Sequence, residues 1–255
     1  MSKVLAIAQF TLLEALRTRV LWLVLAMLVL LGLGSLFVQH VAITETGRLQ
    51  TGFLAASARM GVIFVLCLHV ASSMVREFND KGVDLLLSLD LPRAGYFFGK
   101  LLGFAGLALI IAAMTSLALA CLAPLSGVAL WGMSLACELM LMSALTLFCI
   151  ITFVQIMPAV SFVFGFYLLA RSIAAVKLLS GSQLLNPNAW TTKLTGWLVD
   201  GLATILPHLG RFTQTGWLVN GPEAISVLGF VVLQTCVYGL LLVLAGLYDL
   251  YRKNL

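Results

Sequence analysis

Residues 20–38 read VLWLVLAMLVLLGLGSLFV, a run without a single charge. About 20 consecutive apolar residues carry a helix across the hydrocarbon core of a bilayer. The run is too long for an ordinary strand or a short buried helix. Similar stretches recur at about 52–75, 101–123, 131–154, 159–179 and 224–247. The composition agrees with them. Of 255 residues, 62% are hydrophobic and only 10% charged, with a mean hydropathy of +1.09. A soluble domain is roughly a quarter charged, so this chain lacks the polar surface to coat a water-soluble globule. The expected fold class is an all-α membrane protein with six transmembrane helices. It forms a single transmembrane domain over 1–255, with no room for a separate soluble enzyme.

The segments between the spans complete the outline. Residues 1–19 hold apolar Val4, Leu5, Ile7, Ala8, Leu12, Ala15 and Leu16 near helical spacing, beside Lys3, Glu14 and Arg17. That pattern predicts an N-terminal helix lying in the interface. Residues 180–223 are polar and aromatic. Within them, 188–219 read as two short helices dipping into or lying along one face, with Trp190, Trp197 and Trp217, like Trp131, in the interfacial belt. Residues 155–158 read as a tight turn. With the N-terminus inside, the inner segments hold nine Lys or Arg (Lys3, Arg17, Arg19, Arg76, Lys81, Arg93, Lys100, Arg252, Lys253), against Arg48, Lys193 and Arg211 outside. The positive-inside rule then places both termini in the cytoplasm and explains the net charge of +5 without nucleic acid. No cleavable signal peptide is expected, because charge extends to Arg19 and the apolar run after it is too long. The expected location is a cell membrane, as a multi-pass protein of a bacterial inner membrane.

Arg59, His69, Glu138 and Arg171 fall inside the spans. A charge at the bilayer centre costs roughly 2.5–3.5 kcal/mol on insertion scales, so such groups face protein or water. Counting at 1.5 Å per residue brings Arg59, Glu138 and Arg171 to similar depth in the outer half. The expectation is a polar cluster in which Glu138 pairs with Arg171 or Arg59. The plainer alternative has Arg59 snorkelling to headgroups and Glu138 neutral or singly paired. Cys67, His69 and Met74 on one helix, with Met133, Cys137, Met140 and Met142 on another, invite a Cu(I) reading. Met and Cys are equally ordinary gap-fillers, the spacing is irregular, and no metal site is assigned. None of the five cysteines forms a CxxC pair, so neither disulfides nor zinc are expected. Gly32 and Gly34, and Gly99, Gly103 and Gly106, mark close helix contacts, within the chain or at a dimer face.

The most charged stretch is residues 76–100, REFNDKGVDLLLSLDLPRAGYFFGK. It is too long for a tight helical hairpin. A short amphipathic helix there would present Leu85, Leu86 and Leu89 to a partner groove; a solvated loop on the headgroups fits the same chemistry. The pattern R-E-x(4)-G-x(2)-L-L-x-S-L-x-L-P-R-x(5)-G-K, beginning at Arg76, resembles the segment after the second span in permeases of the ABC type-2 family. Ala8, Phe10, Thr11, Glu14, Ala15, Arg17 and Arg19 resemble the entrance helix of that family, and residues 206–212, LPHLGRF, its outer segment before the last span. Val83, where many relatives carry Thr, and Asp90-Leu91 before the proline depart from the pattern.

The resemblance implies a transmembrane permease subunit of an ATP-driven exporter. Such permeases have six spans and pair as homodimers or with a similar half. Each sends a cytoplasmic coupling helix, between spans two and three, into a groove of a separate P-loop ATPase. By that analogy Arg76, Glu77, Asp84, Leu85, Leu86, Leu87 and Leu89 couple to the ATPase. ATP and Mg would be bound by the partner, and this chain would carry no cofactor and no catalytic residue. It contains no G-x(4)-G-K-[ST], since Gly99-Lys100 is followed by Leu101. The competing readings are a stand-alone ion-coupled secondary transporter using the intramembrane charges, and an intramembrane enzyme. The first usually shows inverted repeats and the second needs a convergent catalytic set; neither is visible.

Overall fold

The computed structural model describes residues 2–41, 45–80, 92–180, 190–221 and 225–252. Among them every regular element is helical: α1 (Ser2–Arg17), α2 (Val20–Val41), α3 (Thr46–Asn79), α4 (Arg93–Ala120), α5 (Leu125–Phe153), α6 (Ile156–Ser180), α7 (Trp190–Ile205), a 3-10 turn (Leu209–Arg211), α8 (Gly216–Val219) and α9 (Ile225–Arg252). Six of them, α2 to α6 and α9, are long and apolar enough to cross a membrane. The protein is a multi-pass helical bundle.

Proline sets two of the helix starts. Pro92 (φ −63°) and Pro124 (φ −64°) stand immediately before α4 and α5. Their fixed φ suits a helix start, and a missing N–H is harmless where no intrahelical acceptor exists. Because α4 starts at Arg93, residues 93–100 of the long charged stretch are its first two turns, and 76–79 are the last turn of α3. The spans thus overshoot the apolar runs, since helical hydrogen bonding continues into charged sequence wherever side chains such as Tyr96 and Phe97 are buried. Likewise the expected turn at 155–158 is shorter. Val154, at φ 58°, ends α5, and α6 starts at Ile156 with Pro158 in its first turn.

The spans alternate in direction. One end of the bundle, the basic end, gathers Arg17, Arg19, Arg76, Arg93, Lys100 and Arg252. The other end carries the segment 205–221. α5 is the central helix, packed on α3, α4, α6 and α9; Trp131, Leu135, Leu139, Met142 and Ile150 along it are fully buried. α1 runs beside the first half of α4. Gly99 and Gly103 allow this: a Cβ on either would lie 2.7 Å from Ile7 Cβ or 2.6 Å from Thr11 Cβ. The α4 glycines therefore make an intrachain contact. The outer side of α1 shows Leu5, Phe10 and Leu13, so the helix is apolar on two faces. Two tryptophans depart from the expected belt. Trp131 and Trp217 are buried, because the segment 206–219 folds back over the bundle end and covers them; Trp197 is 84% exposed.

Candidate functional site

Two charged constellations stand at the two ends. At the basic end, α3 leaves the bundle through Arg76 and Glu77. Arg76 pairs with Glu14 of α1, and Glu77 pairs with Lys100 of α4. Ser73 adds a hydrogen bond to Glu14 Oε1 at 3.3 Å. The two pairs differ in setting. Arg76 and Glu14 are 57% and 37% exposed, whereas Lys100 and Glu77 are 6% and 16% exposed. Together they rivet α1, α3 and α4 around a cavity of ≈ 370 Å³, with Ile7 and Phe10 as its apolar wall. Arg93, the first residue of α4, donates to the carbonyls of Leu250 and Tyr251 at 3.2 and 3.4 Å. That caps the end of α9, whose last carbonyls have no helical partner.

At the opposite end, Arg59 (α3), Glu138 (α5) and Arg171 (α6) meet around Thr213. Arg171 Nη1 lies 3.3 Å from Glu138 Oε1. The same nitrogen reaches the carbonyls of Leu209 at 2.9 Å and Phe212 at 3.2 Å, and Thr213 Oγ1 at 3.3 Å. Thr213 Oγ1 donates to Glu138 Oε2 at 2.6 Å, its N–H donates to Ser134 Oγ at 2.9 Å, and its carbonyl accepts from Arg59 Nη1 at 2.9 Å. Its φ is 41°, a left-handed conformation that β-branched residues rarely adopt. Four side chains on three helices hold it there: Arg59, Ser134, Glu138 and Arg171. Glu138 and Thr213 are fully buried and Arg59 is 8% exposed. The Tyr167 hydroxyl faces the Glu138 carboxylate outside hydrogen-bond geometry.

Chemically, two guanidinium groups face one carboxylate. The excess positive charge is met by main-chain carbonyls of a non-helical segment. Irregular backbone at membrane depth is tolerated only where protein buries it and satisfies its polar groups, and this network supplies those partners. The arrangement is an anchor for the segment 206–219. Gly127 completes it, since a Cβ there would stand 2.4 Å from the Trp217 carbonyl oxygen. His208 to Gln234 at 3.3 Å and Arg211 stacked 5.1 Å from the Phe230 ring centroid tie the same segment to α9.

The structure thus brings together Arg59, Glu138 and Arg171, and links Arg76 and Glu77 to other helices of the chain. Asp84, Leu85, Leu86, Leu87 and Leu89 lie outside the described residues. His69 stacks edge-on against Phe104 at 6.4 Å. Among the described residues, no three His, Cys, Asp or Glu side chains converge as metal ligands. Sequence reasoning missed Thr213, Ser134 and the carbonyls of 209–213. The visible signal was an excess of intramembrane Arg over Glu, which requires extra acceptors. Compared with known proteins, the chain matches no family model and no curated protein.

Proposed function

We propose that this chain is the transmembrane permease subunit of an ATP-driven exporter of the ABC type, driven by a separate P-loop ATPase and working as a pair of halves. The carrying observation is the Glu77–Lys100 pair. It clamps the last turn of α3 to the second turn of α4, on the two helices that flank the connection 81–91. A push on that connection would move α3 and α4 as one body, and α1 with them through Arg76 and Glu14. A solvated loop has no need of a nearly buried ion pair at its base. In this reading both termini are cytoplasmic, the membrane is a bacterial inner membrane, and ATP and Mg sit on the partner.

The ion-coupled alternative would use Arg59, Glu138 and Arg171 as titrating groups. The two arginines are instead occupied with the backbone of 209–213 and Glu138 with the Thr213 hydroxyl and Arg171, which favours an anchoring role. The test is affinity purification from the native membrane in detergent. A P-loop ATPase is expected to co-purify with the chain, and Leu86→Asp, which places a charge in the docking surface, is expected to abolish its recovery. Unchanged ATPase recovery with Leu86→Asp overturns the coupling assignment.

A further inference from the structure

A groove opens on the flank of the bundle where α2 and α4 diverge over α3. Its volume is ≈ 530 Å³, inside the range of roughly 300–1,000 Å³ typical of ligand pockets. Leu25 to Leu36 of α2 form one wall, Leu117 of α4 the other, and Leu54 the floor. From Leu25 to Leu36 the groove runs about 16 Å at 1.5 Å per residue. That is close to half of a hydrocarbon core about 30 Å thick, the depth of one leaflet. Gly32 lines the groove, and a Cβ at this position would meet nothing within 4 Å.

The groove adjoins a second cavity. Leu122 lines both; the second, of ≈ 450 Å³, carries Glu45, Thr46, Arg48 and Thr51 on its walls. One turn of α3 separates the apolar floor at Leu54 from the hydroxyl of Thr51. Arg48 and Glu45 stand 3.3 Å apart and more than half exposed. An apolar trough of one-leaflet length, beside a mouth with one cation, one carboxylate and hydroxyls, matches a molecule with a long tail and a zwitterionic phosphate head, its phosphate toward Arg48 and its amine toward Glu45. An arginine fork suits phosphate oxygens, and such contacts are among the stronger hydrogen bonds.

We propose that this groove binds one glycerophospholipid, its acyl chain against α2 and its phosphate against Arg48. A transmembrane helix from a second copy would use the same apolar trough but would leave the charged mouth without a role. The inference does not depend on an ATPase partner, so the two can fail separately.

The test is native mass spectrometry of the purified chain released from nanodiscs of phosphatidylethanolamine and phosphatidylglycerol. Wild type is expected to retain one phospholipid. Gly32→Phe, whose Cβ would meet nothing within 4 Å and whose ring would enter the groove, is expected to expel it with the thermal midpoint preserved. Gly165→Phe on α6, also pointing into open space, is expected to leave retention unchanged. Arg48→Glu is expected to weaken retention by about tenfold, the scale of one charge-assisted hydrogen bond. Wild-type retention in both Gly32→Phe and Arg48→Glu overturns the proposal. So does efficient disulfide formation between two copies of Gly32→Cys, which would place a second helix in the trough.

Discussion

The two ends of this bundle hold charge in opposite ways. At the basic end, acids and bases meet side chain to side chain, Glu14 with Arg76 and Glu77 with Lys100, at the margin of a cavity. At the other end, Arg59 and Arg171 are sunk among helices and are satisfied chiefly by backbone oxygens of a folded-back segment. Exposure alone does not decide between these modes, since Lys100 is as buried as the groups at the other end; what differs is the partner, a side chain of another helix at one end and backbone carbonyls at the other. Where water reaches the pair, as at Glu14 and Arg76, a charge is free to change partners. Away from water each hydrogen bond has no substitute, and the same residue types become a fixed frame for irregular backbone.

The contrast breaks most visibly at Glu138. Removing one partner of a buried pair costs about 3–5 kcal/mol, because the survivor stays buried and uncompensated. Glu138→Ala is therefore expected to lower the thermal midpoint in detergent sharply, or to prevent recovery of folded protein. A double change of Glu138 and Arg171 to apolar residues should recover part of the loss. Equal losses in the single and double variants would show that the carbonyl contacts, rather than the ion pair, carry the frame. A smaller effect tests the frame's other support. Gly127→Ala should displace the Trp217 backbone at a cost of about 1–3 kcal/mol, as overpacking does. Limited proteolysis should then open the segment 206–219 first. The smallest effect belongs to the basic end. Arg76→Ala is expected to change stability by only about 0–1 kcal/mol, as exposed pairs do, and the difference should shrink further in high salt. An effect of Arg76→Ala as large as that of Glu138→Ala would erase the distinction between the two ends.

What the sequence made legible follows the same division. Charge-free runs such as 20–38 marked the spans, because a bilayer tolerates little else. Arg59, Glu138 and Arg171 could be set at similar depth by counting helical rise alone. Thr213 could not, because its role depends on a chain reversal that carries a nominally peripheral loop back among α3, α5 and α6. Trp131 and Trp217 were misplaced for the same reason, since tryptophan composition signals an interface only when nothing folds over it. Gly99 and Gly103 announced a close contact, but nothing local said that its partner would be α1.

That last contact bears on how the protein is made. Ile7 and Thr11 can settle only against Gly99 and Gly103, which leave the ribosome long after α1 does. α1 must wait, with its greasy sides shielded by lipid or by an insertion factor, until α4 has threaded through. Seating α1 is therefore a late event in biogenesis.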